Sequence, residues 1–339
     1  MSKTIAFTID GKKVEAAPGE TIWKVAERHG ILLPHLCYKP APGYRPDGNC
    51  RACMVEIEGE LVLSASCIRT PTPGMKVKTK AERAVKARKM VMELLLADHP
   101  HRDKAHDDDS HFWHMVDAVG VDKSRFPSRE MPPPDNSHPA ISVQLDACIQ
   151  CGLCTRACHE VQVNDVIGVA FRGAKSKVVF DFDHPMGDST CVACGECVQA
   201  CPTGALMEAT RVEKDGRGSI KADTRVDSLC PYCGVGCQLT FNVRDGRLLS
   251  VEGRNGPANH NRLCVKGRFG FDYVHHPHRL TKPLIRKAGM RKIPDEPFNP
   301  ADPFANFHEV SWEQALDEAG GGFRHLRDRE GTRVLAGFG

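Results

Sequence analysis

The chain is predicted to be an α+β protein built from several small, metal-pinned modules, and three observations predict this. Its 16 cysteines fall into four groups of four with none left over. Its 339 residues suggest two or three domains, but 6% aromatics is thin for large apolar cores. The opening stretch reads as a hairpin followed by a short helix, the pattern of a small β-grasp domain.

The composition narrows the remaining classes. With 26% charged residues and a net charge of +3, nothing points to nucleic acid or to an acidic surface. No run of about 18 apolar residues is present to span a membrane. Disulfide-rich secreted proteins are short and carry an export signal. Here Met1–Phe7 leads straight into an alternating strand with no apolar leader, so the cysteines are expected to be metal ligands in a reducing, cytoplasmic setting. Ligation then adds folding free energy that small cores lack.

In residues 1–78, Thr4–Ile9 alternates as a half-buried strand, Asp10-Gly11 turns, and Val14–Ala16 returns. Thr21 opens a helix, Ile22–His29, which Gly30 stops. Cys37, Cys50, Cys53 and Cys67 follow as C-x12-C-x2-C-x13-C. The first gap is rich in glycine and proline and suits an irregular loop whose amides approach a cluster. A hairpin after Cys53 returns Cys67 to the others. The set fits a [2Fe–2S] site, although the plant-type spacing differs, and a zinc site is the alternative.

Residues 79–138 are expected to be a helix and a linker. Ala84, Ala87, Met90, Val91, Leu94 and Leu95 fall near one face of a helix over Lys80–Ala97. From His101 to His138 the sequence is polar and proline-rich, with a helical turn or two around Phe112–Val119. His99, His101, His106, His111 and His114 imply no ligand geometry, so a solvated connector is expected.

Residues 139–226 carry C-x2-C-x2-C-x3-C twice, at Cys148, Cys151, Cys154, Cys158 and at Cys191, Cys194, Cys197, Cys201, with Pro202 following. Three thiolates of each run wrap one cubane, and the fourth reaches across to the other. One [4Fe–4S] cluster would use Cys148, Cys151, Cys154 and Cys201. The second would use Cys191, Cys194, Cys197 and Cys158. Paired zinc sites, the competing reading, favour two separated C-x2-C halves. The 32 residues between the runs are rich in strand formers, as at Val178-Val179-Phe180.

Residues 227–283 hold a fourth set, Cys230, Cys233, Cys237 and Cys264, with strands over Leu239–Asn242 and Leu248–Glu252 joined at Asp245-Gly246. In residues 284–339 the stretch 289–307 reads as coil. Ser311 caps a helix weakened by Gly320-Gly321-Gly322, and Arg333–Gly337 reads as a strand. There is no dinucleotide fingerprint, phosphate-binding loop or nucleophile elbow. Four one-electron centres with no catalytic motif make an electron wire that needs partners at both ends.

Three segments carry a family resemblance. Cys37–Ile57, the run Cys230-Pro-Tyr-Cys233-Gly-Val-Gly-Cys237, and Cys264-Val-Lys266-Gly-Arg-Phe-Gly resemble the large (alpha) subunit of NAD-dependent molybdenum- or tungsten-containing formate dehydrogenases. His276–Arg286 is similar to that family's continuation. The resemblance implies that residues 284–339 begin an α/β molybdopterin domain. It also implies that electrons from formate oxidation at a bis-pyranopterin guanine dinucleotide site pass through the clusters. Their destination would be a flavin/NAD-binding beta subunit, with a small iron–sulfur gamma subunit as further partner. Lys266 matches the lysine that lies between proximal cluster and pterin in the superfamily.

Two departures qualify the match. Relatives including NADH dehydrogenase large subunits bear His-x3-Cys-x2-Cys-x5-Cys after the first long helix. Here His99 is followed by Asp103, His106 and Phe112, so no cluster is expected there. The chain also ends at Gly339, where the pterin domain would begin, so a truncated and catalytically incomplete chain is expected. A stand-alone iron–sulfur carrier, or the large subunit of an NADH dehydrogenase or another molybdopterin oxidoreductase, is the alternative.

Overall fold

The computed structural model describes residues 4–213, 220–290 and 299–337. Two compact units emerge, Met1–Phe271 and Asp272–Gly339.

The first unit begins with strands β1 (Ile5–Ile9) and β2 (Lys12–Ala16), paired antiparallel through Asp10 at φ +48° and Gly11 at φ +81°. Two consecutive left-handed residues match the twist of a two-residue hairpin. Helix α1 (Ile22–Arg28) is capped by Thr21, whose hydroxyl accepts from the Lys24 amide at 3.4 Å, and it buries Ile22, Trp23, Val25 and Ala26. Strands β3 (Met54–Ile57), β4 (Ser64–Ala65) and β5 (Lys76–Lys78) complete a five-stranded sheet ordered β2-β1-β5-β3-β4. The central pair, β1 with β5, is parallel, as expected of a β-grasp.

Helix α2 (Glu82–Ala97) lies against this sheet with Ala84, Arg88 and Met92 on its inward stripe, spaced by four residues; Met92 packs beside Leu36 and Ala52. Arg88 donates to the carbonyls of Met54 and Thr79, both at 2.8 Å. That rotation turns Leu94 outward, 49% exposed, against the face expected from the sequence.

The connector is largely exposed over residues 122–137, as expected, but its first half is packed into the protein. Helix α3 (His111–Val119) buries Phe112, Trp113, Met115 and Val116 against Leu36, Ala52 and Met92. The Phe112 amide donates to the Pro202 carbonyl at 2.8 Å. His99 and His106 are buried with it. His99 stacks on Phe112 with ring centroids 4.5 Å apart, and its Nδ1 lies 3.1 Å from the Pro100 carbonyl oxygen. The polar composition hid four consecutive-turn apolar residues, enough to make the helix part of the core.

Strand β6 (Ile141–Val143) pairs antiparallel with β9 (Leu206–Glu208), tying together the ends of the double cysteine repeat. Between them lie helix α4 (Leu153–Arg156), the hairpin β7 (Ile167–Ala170) and β8 (Lys177–Phe180), and helix α5 (Glu196–Ala200). Strands β10 (Thr224–Leu229), β11 (Gln238–Arg244) and β12 (Arg247–Gly253) form a three-stranded meander, whose first strand has no counterpart in the sequence expectations. Helix α6 (Val265–Phe269) follows Cys264 directly.

In the second unit, β13 (Leu284–Arg286) pairs with β14 (Phe307–Glu309). Part of the expected coil, 291–298, lies outside the described residues. Helix α7 (Trp312–Glu330) is capped by the Ser311 hydroxyl, which accepts from the Gln314 amide at 3.1 Å, and it runs through the glycine triplet unbroken. The expected strand at Arg333–Gly337 is absent: Thr332–Val334 forms a 3-10 turn, and Leu335 is extended but pairs with no strand among the described residues. An isolated extended segment has no ladder to hold it.

Candidate metal centres

The sixteen thiols gather into four sets. Cys37, Cys53 and Cys67 are buried, with Cys50 partly so. The Cys37 thiol is pulled strongly down because the thiols of Cys50 and Cys67 hydrogen-bond to it, and those two are pushed up in return. Cys53 is lowered to about 7, chiefly by the Cys67 thiol. The loop between Cys37 and Cys50 needs a left-handed residue at Gly48 (φ +65°), where a Cβ would lie 2.7 Å from Ile68 Cδ1.

The double repeat is crossed in space. Cys148, Cys151, Cys154 and Cys201 line one cavity, together with Leu145, Pro202 and Leu206. Cys158, Cys191, Cys194 and Cys197 line another, with Asn164 and Val166. Burial pushes Cys148 up to about 11, the Gln150 amide opposes this, and the Cys201 charge adds to it. Cys151, Cys154 and Cys197 are raised by burial first and by neighbouring thiolates second.

Matching backbone geometry produces the two halves. Gln150 (φ +52°) and Ala193 (φ +53°) each turn left-handed, and the amide of each points at the sulfur two residues before it: Gln150 to Cys148 and Ala193 to Cys191, both at 3.4 Å. Cys158 sits on a widened helical turn, Ala157–Val161, and its sulfur accepts from the Val166 amide at 3.3 Å. Gly195 (φ +68°) starts α5, and a Cβ there would overlap the Arg268 side chain.

The fourth set is more open. Burial raises the Cys237 thiol, followed by the charges of Cys230, Cys233 and Cys264. The Cys230 amide donates to the Cys237 carbonyl at 2.8 Å, while Cys233 and Cys264 are exposed. Lys266 stands exposed on α6, two residues beyond Cys264.

Among the described residues, no three His, Cys, Asp or Glu side chains converge as on a single metal ion. The second and third sets surround cavities instead. Four soft thiols around a cavity, with N–H groups directed at sulfur, is the donor chemistry of an iron–sulfur cluster. The residues present fit that group.

The positions that correspond to the absent fifth cysteine set are engaged otherwise. His101 pairs with Asp103 at 2.5 Å, His106 Nε2 lies 2.9 Å from Asp146, and Phe112 is fully buried.

Sequence reasoning missed the charges that join the modules. Arg156, 4% exposed on its side chain, donates from Nη2 to the Cys37 carbonyl at 2.6 Å and pairs with Asp47. Arg45 extends this pair to Glu160 at 2.8 Å. Nothing local marks these residues. Arg156 lies inside a cysteine run, Glu160 just after it, and Arg45 and Asp47 in a loop, where surface charges are also common.

Comparison with known proteins agrees with this layout. Residues 2–82 match a 2Fe-2S iron-sulfur cluster binding domain, 144–219 a 4Fe-4S dicluster domain, and 223–276 a molybdopterin oxidoreductase Fe4S4 domain. The chain is 27% identical over 378 aligned residues to "Putative formate dehydrogenase SH0748" of Staphylococcus haemolyticus, covering 99% of this chain and 36% of the relative. It is 35% identical over 321 residues to a subunit of the NADH-quinone oxidoreductase of Rhizobium meliloti, covering 92% of this chain and 35% of that relative. The chain thus spans about a third of the length of these relatives. Among solved structures it resembles an NAD+-reducing [NiFe]-hydrogenase in the H2-reduced state, with a TM-score of 0.55 and 30% identity over 60% of this chain and 87% of that one.

Proposed function

Because the chain belongs to the modular iron–sulfur oxidoreductase family of these formate-dehydrogenase and NADH-quinone-oxidoreductase relatives, we propose that it is the electron-transfer part of a formate dehydrogenase alpha subunit. The single observation that carries the reading is the crossed placement of Cys158 and Cys201, which gives the repeat two cavities of four thiols each.

One [2Fe–2S] cluster would be held by Cys37, Cys50, Cys53 and Cys67. Three [4Fe–4S] clusters would be held by Cys148/Cys151/Cys154/Cys201, by Cys191/Cys194/Cys197/Cys158, and by Cys230/Cys233/Cys237/Cys264. When bound, each supplies one-electron transfer. The chain's own part is to shield and tune these sites. Leu145, Pro202 and Leu206 exclude water from the first cubane site. The amides of Gln150, Ala193 and Val166 direct partial positive charge at cysteine sulfur, which favours the more negative, reduced state.

The exposed Cys233–Cys264 end, with Lys266 beside it, is proposed to face a molybdenum or tungsten bis-pterin site in the complete subunit. A flavin/NAD-binding beta subunit and a small iron–sulfur gamma subunit would receive the electrons, formate would be the substrate of the whole enzyme, and the setting would be cytoplasmic. No helix among the described residues is long and apolar enough to cross a membrane. The 35% identity to the NADH-quinone oxidoreductase relative favours a second reading, a large subunit of that class. Phe112, buried where that class is expected to place a cysteine, weighs against it.

Anaerobic coulometric reduction of the reconstituted chain tests the wire. It should take up about four electrons per chain, one for each cluster. Uptake of two or fewer would contradict four working centres.

A further inference from the structure

A second buried arginine lies between the third and fourth thiol sets. Arg268 has a fully buried side chain, and its ion-pair partner Glu196 is 2% exposed. Arg268 Nε donates to the Cys194 carbonyl at 2.9 Å and Nη1 to the Val251 carbonyl at 3.4 Å. Nη2 reaches Glu196 Oε2 at 3.4 Å. The Arg268 backbone amide donates to the Cys264 carbonyl at 3.1 Å. One residue therefore holds a cysteine of each set, by side chain and by main chain. Glu196 in turn accepts from the Tyr44 hydroxyl at 2.8 Å, so the β-grasp module closes the network.

The pair adjoins Gly195, which lines the cavity of the third set. Gly195 lies one residue from both Cys194 and Glu196, and its missing Cβ is the space the Arg268 chain occupies. An ion pair this buried adds little net stability over apolar packing. It does place two opposite charges, screened by little water, beside a site that gains one negative charge on reduction.

We propose that Arg268 and Glu196 act as opposed positioning charges that set the reduction potential of the centre on Cys158, Cys191, Cys194 and Cys197, and so the step between it and the Cys230–Cys264 centre. The proposal rests on the cluster reading above. A cation favours the reduced, more negative state and an anion disfavours it, so removing one or the other must shift the potential in opposite directions.

The test is an EPR-monitored redox titration of the full reconstituted chain in four forms: wild type, Arg268→Gln, Arg268→Lys and Glu196→Gln. Arg268→Gln should lower the midpoint of one four-iron centre by a tenfold change in its equilibrium constant, about 59 mV for one electron. Glu196→Gln should raise the same midpoint, and Arg268→Lys should restore most of the wild-type value. The centres on the Cys37 and Cys148 sets should stay in place. Shifts of the same sign, or no shift with iron retained, would overturn the proposal. So would loss of iron in Arg268→Gln combined with an unmoved midpoint in Glu196→Gln, which assigns the pair to folding alone. Wild-type protein lacking four-iron signals would instead refute the cluster reading.

Discussion

Replacing Cys158 with alanine is expected to strip the centre built on the other cysteine run, lowering iron by about four atoms per chain. Cys158 lies in sequence with Cys148, Cys151 and Cys154, but in space it shares a cavity with Cys191, Cys194 and Cys197. Its sulfur accepts from the Val166 amide, which belongs to the insertion between the runs, so the insertion helps hold it on that side. Cys201→Ala should do the converse and empty the site of Cys148, Cys151 and Cys154. Double variants make the assignment independent of spectra. Residues that serve one site act as a unit, and their losses do not add. Cys158→Ala combined with Cys191→Ala should therefore lose no more iron than either alone. Cys158→Ala combined with Cys148→Ala should lose about twice as much. Additivity in the reverse pattern would show that each run closes its own cluster.

Arg156→Ala is expected to destabilise the protein by about 3 kcal/mol, the lower end for breaking a buried ion pair. The lower end applies because Asp47 keeps 25% side-chain exposure and regains water when its partner is lost. The Cys37 carbonyl adds to the loss, left without the guanidinium that now meets it at 2.6 Å. Arg156→Lys should recover only part, since one ammonium cannot reproduce a planar fork shared between a carboxylate and a carbonyl. Urea unfolding followed at the visible absorbance of the Cys37 set checks this. An unchanged midpoint would mean that the two modules hold together without Arg156.

The cysteine framework was legible because its signal is local spacing, and spacing limits which thiols can reach one cluster. The β-grasp hairpin was legible for a similar reason: Asp10-Gly11 and the Thr21 cap state their geometry within a few residues. The failures are all tertiary. Leu94 and Met92 exchanged roles because Arg88 set the rotation of α2 through carbonyls 34 and nine residues before it. Phe112 and Trp113 looked like islands in a polar linker because the surface that covers them, around Leu36 and Ala52, is remote in sequence. Arg333–Gly337 has strand-forming residues but no neighbouring strand among those described. Arg156 and Arg268 were invisible for the same reason. A buried arginine is recognised by the carbonyls around it, and those lie 119 and 74 positions away.

The most direct test of four clusters on sixteen thiols is the iron and acid-labile sulfide content of the anaerobically reconstituted wild-type chain. One two-iron and three four-iron centres predict about 14 of each per chain. About 18 irons, or tightly bound zinc in place of iron at any set, would contradict the account.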